Sequence, residues 1–282
     1  FMVWDYALSE SEIQATMDSE LNGDETGLVG YFNFNEGTGT TLTDQTSNGN
    51  DGTINGATWS TDVPVTTPTV IHVPADYSTI QEGIDAASDG DMVLVQAGTY
   101  VENVLLDNPD GGPYKSINVI GENKNTTIID GGGTGLTGSG AFIIWRNPNL
   151  LLKNFTIQNS ATAVSISGAD GTSKTAVLEN LIVKNNAPNG GIWATSSDIT
   201  IKNSSIESNT GGNGGGVYVT NCIKLTLDDV VVKNNTADYG GGIYVDNTPV
   251  DFAGTVSLLN NHASNEGGGI AFNSAANNQL LT

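Results

Sequence analysis

The chain of 282 residues has 9 lysines and arginines against 31 aspartates and glutamates, a formal net charge of −22. Because phosphate contacts need clustered cations, this balance excludes a free-standing nucleic-acid binder and argues equally against attraction to an anionic membrane surface. All nine cations lie in residues 115–282, whereas residues 1–114 contain 19 acidic residues. The single cysteine, Cys222, excludes an intramolecular disulfide framework.

The two ends of the sequence indicate a piece of a longer chain. The sequence opens on Phe1 without the charged stretch and following apolar run of a leader peptide, and its last segment stops within a repeat. No apolar run reaches the roughly 18 residues of a membrane-spanning helix, so we expect no membrane insertion by this part. We expect the piece to be monomeric.

The first predicted region, residues 1–63, combines short strands with turns. The run Phe1–Tyr6 predicts a strand, and Ser9 with Glu12 forms a capping box that starts a short helix. The apolar run Leu28–Phe34 predicts another strand, and the turn-rich residues after it predict a strand, turn and strand.

This region resembles the laminin-G-like jelly-roll domain of the concanavalin A-like lectin superfamily. Trp4–Ile13 looks like the closing strand and helix of such a domain, whereas Leu28–Gly37, Asp44 and Asn48–Gly52 look like its opening. Since the end precedes the beginning and the middle is missing, the resemblance implies an incomplete β-sandwich. The loops that would hold a lectin-type ligand or calcium are not in the chain.

A linker and a helix are predicted next. Residues 64–70 have the proline and threonine content of a linker. Ser78 and Gln81 match a second capping box, which predicts an amphipathic helix at about 78–88 followed by a strand at Met92–Val95. The apolar residues at helical spacing are Ile80, Ile84 and Ala87.

From about residue 141 the sequence repeats itself. One set of segments lines up at intervals of 25, 26 and 27 residues: Gly191–Ala194, Gly216–Val219, Gly242–Val245 and Gly269–Phe272. A second set lines up at intervals of 26, 23 and 26 residues: Leu150–Asn154, Ala176–Asn180, Ile199–Asn203 and Leu225–Asp229. Units of this size hold short strands and no helix, so they predict a parallel β-helix rather than propeller blades of about 40 residues.

The alternation within the first set assigns side chains to two faces. Two columns of equivalent positions are apolar and are predicted to face the core: 164/192/217/243/270 and 166/194/219/245/272. The column between them, which contains Ser165, Trp193, Tyr218, Tyr244 and Ala271, is predicted to face outward. Because equivalent positions of a parallel solenoid stack about 4.8 Å apart, Trp193, Tyr218 and Tyr244 are predicted to form an aromatic stack on the outer surface.

Other columns predict how the coils keep their register. Two columns alternate between lysine and an acidic residue: 153/179/202/228 and 184/207/233. This alternation favours the correct pairing of neighbouring coils. Column 154/180/203/229 contains three asparagines and an aspartate, the residues best suited to a left-handed turn and to amide ladders.

Residues 71–282 resemble the right-handed parallel β-helix of the pectin-lyase-like superfamily. The segments that carry the resemblance are Ile71–Ile84, Asp91–Tyr100, Ile128–Gly131, Asn185–Asn186 and Asn234–Tyr244. The first of them looks like the entry strand and N-terminal cap helix of that fold. The Gly-Gly-Ile pattern also resembles repeats of autotransporter passenger proteins. The resemblance implies an all-β solenoid but no single activity, since the superfamily includes lyases, hydrolases, epimerases and adhesins.

Few residues match catalytic or metal-binding patterns. Arg146 fits a solvated turn better than a lyase base, and the adjacent Asp228 and Asp229 point to opposite faces of a strand. His72, before the helix, and His262, in a predicted turn, each lack a second histidine at metal-ligand spacing. The oxygen-rich segment Asp107–Gly111 fits an ordinary turn as well as a calcium loop. We therefore expect no resident cofactor, with weak calcium binding as the open alternative.

Three functions remain open at this point. The aromatic column Trp193, Tyr218 and Tyr244 suits the CH-rich faces of sugar rings. It favours a non-catalytic, secreted or bacterial cell-surface protein that acts in adhesion or in binding a polysaccharide or cell-surface glycan. The alternatives are a polysaccharide lyase or glycoside hydrolase whose active site lies outside or at the edge of this chain, and a purely structural spacer.

Overall fold

The structure is a computed structural model that describes residues 1–9, 12–13, 16, 21–59, 68–106, 115–133, 140–145, 149–168 and 175–273. The chain divides into two compact units, Phe1–Pro64 and Val65–Thr282. The predicted calcium-loop segment Asp107–Gly111 and Arg146 lie outside the described residues, as does most of the predicted linker.

The described part of the first unit contains two small antiparallel sheets. Strand β1 (Met2–Trp4) pairs with β2 (Leu28–Tyr31), and β3 (Thr41–Leu42) pairs with β4 (Gly52–Thr53). The predicted capping box is confirmed, because the Ser9 backbone N–H donates to the Glu12 carboxylate at 2.7 Å. The backbone N–H of Glu12 in turn donates to Ser9 Oγ at 3.4 Å.

Asp44 organises the turn-rich part of this unit. Its side chain is 5% exposed and accepts hydrogen bonds from the backbone N–H groups of Tyr31, Thr46 and Asn50 and from the Thr46 hydroxyl. Burial alone would raise the pKa of Asp44, but these four donors outweigh it and hold that pKa well below its ordinary value. The charged carboxylate thus ties strand β2 to the loop before β4.

The second unit is a parallel β-helix of three sheets. Sheet I contains β5 (Val70–Val73), β6 (Met92–Val95), β9 (Ile117–Gly121), β12 (Asn149–Lys153), β15 (Thr175–Glu179), β18 (Asp198–Lys202), β21 (Lys224–Asp228) and β25 (Val250–Phe252). Sheet II contains β7 (Gly98–Val101), β10 (Thr127–Asp130), β13 (Thr156–Gln158), β16 (Ile182–Lys184), β19 (Ser205–Glu207), β22 (Val230–Lys233) and β26 (Val256–Leu259). Sheet III contains β8 (Val104–Leu106), β11 (Phe142–Trp145), β14 (Thr162–Ser167), β17 (Gly190–Thr195), β20 (Val217–Thr220), β24 (Ile243–Asp246) and β28 (Ile270–Asn273). The chain visits the sheets in turn, so each circuit is one coil and the predicted solenoid is confirmed.

One helix, α1 (Ile80–Ala86), lies beside the first coils and is shorter than the predicted range of about 78–88. The predicted capping box of Ser78 and Gln81 is wrong by one residue. Thr79 is the N-cap, and its partner is Glu82. Glutamate prevails over Gln81 because its carboxylate also accepts hydrogen bonds from the backbone N–H groups of Ser78 and Thr79.

Two charged residues hold the ends of α1. The Glu102 carboxylate accepts hydrogen bonds from the backbone N–H groups of Ile80 and Gln81, both at 3.0 Å. At the other end, Lys115 Nζ donates to the carbonyl oxygens of Ile84, Asp85 and Ala87 at 2.7 to 3.1 Å. An acid at the N-terminus and a cation at the C-terminus complement the helix dipole.

The interior is a continuous aliphatic core, and the two predicted inward columns of sheet III form part of it. Val164, Val217 and Ile243 are fully buried, as are Ala194 and Val219. The last described coil departs from this pattern. Phe272 is 48% exposed there, unlike its buried counterparts Val219 and Val245 in the two preceding coils.

Asparagine columns hold the turns. The predicted left-handed column is confirmed, since Asn154, Asn180, Asn203 and Asp229 have φ values of 52° to 66°. A second asparagine column, between sheets II and III, was not predicted as a ladder. Its side chains form hydrogen bonds from coil to coil, and each Nδ2 donates to the Oδ1 of the next asparagine at 2.9 to 3.0 Å. Its members are Asn186, Asn209, Asn235 and Asn261. The first column repeats one backbone conformation at each coil and the second repeats one set of hydrogen bonds, so both keep the sheets aligned.

The predicted charge columns are in register. Glu179 lies between Lys153 and Lys202, with N–O distances of 3.0 and 3.1 Å. In the other column, Lys233 lies 2.7 Å from Glu207. A slip of one coil would place like charges together, so these pairs favour the observed register.

Candidate functional site

The candidate site lies on the outer face of sheet III. Parallel pairing places Ser165 beside Trp193, Trp193 beside Tyr218 and Tyr218 beside Tyr244. This confirms the predicted register of the aromatic column. The ring centroids are 6.3 Å apart for Trp193 and Tyr218 and 5.5 Å apart for Tyr218 and Tyr244. The interplanar angles are 44° and 45°, so the rings form a stepped surface rather than a flat stack.

The glycines before these strands set the close spacing of the coils. A Cβ atom added to Gly216 would lie 2.6 Å from the carbonyl oxygen of Gly242 and 2.9 Å from Cγ1 of Val232. No side chain fits in that space. The glycines before β20 and β24 therefore allow the close approach of their coils and bring Tyr218 and Tyr244 into neighbouring positions.

A groove of about 520 Å³ opens beside the aromatic column. Aromatic rings, hydroxyl groups of the sheet and turn residues line it: Trp145, Trp193, Tyr218, Thr162, Ser165, Ser167, Asn189, Gly212 and Asn213. Ser165 faces outward yet is only 6% exposed. The change from this small side chain to the indole of Trp193 in the next coil accounts for the depression.

Trp145 is a groove residue that the sequence analysis missed. Its side chain is 43% exposed, and its strand pairs with β14 so that Trp145 lies beside Ser167. The alternation within Phe142–Trp145 indicates this position, because it continues the inward-facing and outward-facing columns of sheet III by one coil.

A short parallel ladder extends the coils between sheets II and III. Strand β23 (Thr236–Tyr239) pairs with β27 (His262–Glu266), and a single bridge joins Asn213 to Tyr239. The prediction that His262 lies in a turn is wrong, because this ladder makes it the first residue of a strand. Asn213 also lines the groove, so the ladder begins at the groove edge, and its bridge partner Tyr239 is 40% exposed.

The outer face of sheet III is almost free of charge. Its described strands contain no lysine, arginine or histidine, and Asp246 is their only carboxylate. Asp246 accepts a hydrogen bond from the Thr220 hydroxyl at 3.0 Å. Burial raises the pKa of Tyr244, and the nearby Asp246 and Tyr218 raise it further. Tyr244 is therefore a neutral phenol near pH 7, able to donate and accept hydrogen bonds.

A family model described as the right-handed β-helix region matches residues 124–281, more than half of the chain. The chain belongs to the right-handed β-helix family. Among solved structures, this β-helix chain is similar to rice weevil pectin methyl esterase. The two are 17% identical, the match covers 68% of this chain and 67% of the other, and the TM-score is 0.42. No curated protein matches the chain.

The other predicted candidates are dispersed over the β-helix. Asp228 ends a strand of sheet I, while Asp229 has φ 52° in the turn and accepts a hydrogen bond from the Thr255 amide. Cys222 is 5% exposed, and burial raises the pKa of its thiol, so it is a packed residue rather than a nucleophile. His72 contacts Asp76 at 3.3 Å on the surface.

The described ranges also bear on metal binding and membrane insertion. No three histidine, cysteine or acidic side chains come together there as metal ligands would. In the same part of the chain, no helix has the length and apolar character needed to cross a bilayer.

Proposed function

We propose that this β-helix protein binds a polysaccharide or cell-surface glycan in the groove on sheet III. The observation that carries the proposal is the row of half-buried, outward-facing aromatic rings at coil spacing, Trp193, Tyr218 and Tyr244, beside a groove that contains hydroxyl and amide groups. Aromatic faces pack against the CH groups of sugar rings, and neutral polar groups hydrogen bond to sugar hydroxyls.

The proposed role is non-catalytic. A glycosidase needs two carboxylates flanking the bond that it cleaves, one acid and one base or nucleophile. Asp246 is the only carboxylate on the described strands of sheet III, which supports binding without cleavage. In this proposal the protein is secreted or displayed on a bacterial cell surface, where it acts in adhesion.

The proposal includes the first unit. Its hydrogen-bonded turn around Asp44 and its antiparallel pair β1–β2 agree with a partial laminin-G-like segment. In this view the first unit is part of a neighbouring module, and the β-helix holds the glycan site.

A glycan panel tests the proposal. Purified protein is applied to immobilised acidic and neutral polysaccharides, together with the double variant Trp193→Ala/Tyr218→Ala and the control Tyr77→Ala. Tyr77 is a tyrosine outside the groove with 40% exposure. Loss of one stacked aromatic ring costs about 2 kcal/mol, which corresponds to about 30-fold weaker binding.

We expect the double variant to lose binding and Tyr77→Ala to keep it. Equal binding by the double variant and the wild type would show that the site is elsewhere. Release of unsaturated sugars from pectin or alginate, detected by ultraviolet absorbance, would instead favour the lyase alternative. Absence of binding to every glycan would favour a structural spacer.

A further inference from the structure

We propose that the groove takes an uncharged glycan, which lies along the axis of the β-helix over about four sugar units. This inference rests on the proposed function and adds the chemical class, direction and length of the ligand. Three features of the described residues carry it: the charge around the groove, the row of polar and mostly neutral groups beside the aromatic column, and the number of coils that the two rows span.

The charge around the groove opposes an acidic ligand. The described strands of sheet III offer no cation, and their one ionisable carboxyl group is Asp246. The neighbouring ladder adds the exposed acids Asp238 and Glu266, with His262 as its single basic residue. A uronic acid carboxylate placed here would lose water without gaining a salt-bridge partner and would face like charges.

Polar groups, neutral except for Asp246, form a second row beside the aromatic one. Parallel pairing aligns this row over five coils: Ser167, Thr195, Thr220, Asp246 and Asn273. Each member lies two residues after its counterpart in the aromatic column, so both rows share the outer face. Hydroxyl and amide groups can donate to and accept from the hydroxyls of an uncharged sugar, and Asp246 can accept from a pair of them.

The two rows run along the helix axis, which sets the direction of the ligand. Trp145 belongs to the coil of β11, and Tyr244 belongs to the coil of β24, four steps further along sheet III. At about 4.8 Å a step the distance is about 19 Å, the length of roughly four sugars. A disaccharide would contact only part of this surface.

Calorimetric titration of the full 282-residue chain tests the inference. The probes are neutral hexamers of glucose, mannose and xylose, the matching disaccharides, and hexagalacturonate, each in 50 and 500 mM NaCl. We expect a neutral hexamer to bind at least about tenfold more tightly than its disaccharide, with less than about a twofold change in Kd between the two salt concentrations. Trp193→Ala should weaken that binding by at least about tenfold.

The outcomes separate this inference from the proposed function. Binding of hexagalacturonate that depends on Trp193 and weakens in high salt would keep the glycan site but overturn its assignment to uncharged ligands. Absence of binding by both kinds of hexamer would overturn the proposed function and this inference with it. Thr195→Lys supplies the missing cation, so it should gain salt-sensitive binding of hexagalacturonate. Failure of this variant to do so would contradict the electrostatic argument.

Discussion

Removing one amide from the buried asparagine ladder should destabilise the β-helix strongly. Asn209 is 1% exposed and makes four side-chain hydrogen bonds. Its Oδ1 accepts from the backbone N–H and from Nδ2 of Asn186 at 3.1 and 2.9 Å. Its Nδ2 donates to Val183 O and to Asn235 Oδ1, both at 3.0 Å. Asn209→Ala therefore removes four bonds at once and deprives buried groups in three neighbouring residues of a partner.

The expected loss follows from these contacts. A buried hydrogen bond contributes about 1 kcal/mol, and an unsatisfied buried group costs more, so Asn209→Ala should lower the free energy of unfolding by about 3–4 kcal/mol. The measurement is urea unfolding followed by circular dichroism. Asn118→Ala is the matched control, since Asn118 faces outward in sheet I, and we expect it to change stability by less than about 0.5 kcal/mol. A loss below about 1 kcal/mol for Asn209→Ala would refute the reasoning.

Two further predictions concern charged groups. Lys115→Met removes three hydrogen bonds to the C-terminal carbonyls of α1 and should cost about 2 kcal/mol in urea unfolding. Lys224→Met removes a half-exposed pair at 3.9 Å and should cost less than about 0.5 kcal/mol, so equal losses would contradict the role of Lys115. For Glu179, burial raises the pKa, but the hydrogen bonds and charges of Lys153 and Lys202 outweigh it and lower the pKa from 4.5. Since the folded pKa is depressed, the stabilisation is present above pH 4.5 and is lost as the pH falls through the folded value. Glu179→Gln should flatten this part of the curve of melting temperature against pH, and an unchanged curve would argue against the ion pairs.

The repeating columns could be predicted from the sequence because each obeys a local rule. The period of two in Ile192–Ala194 and its equivalents sets which side chains enter the core, and the glycines before them set the register. The alternating charges around Glu179 and the left-handed asparagines around Asn180 follow from the same alignment. Because a solenoid repeats one local conformation, a wrong assignment of a residue in one coil would conflict with the residues at the same position of the neighbouring coils.

Features that depend on a contact outside the repeat could not be predicted in this way. The choice of Thr79 over Ser78 as N-cap depends on which backbone N–H groups the Glu82 carboxylate reaches. The strand at His262 depends on pairing with β23, which has no alternating pattern of its own. The groove at Trp145 depends on the burial of the outward-facing Ser165, a property of the neighbouring coils rather than of the column.

The central claim is that a glycan lies against the indoles of Trp145 and Trp193. The chain has four tryptophans, and the other two, Trp4 and Trp59, belong to the first unit. The most direct measurement is a two-dimensional ¹H–¹⁵N spectrum of the indole N–H groups during titration with a neutral hexamer. We expect the signals of Trp145 and Trp193 to shift and saturate together while those of Trp4 and Trp59 stay in place. Saturable shifts confined to Trp4 and Trp59, or no shift in any indole, would contradict the claim.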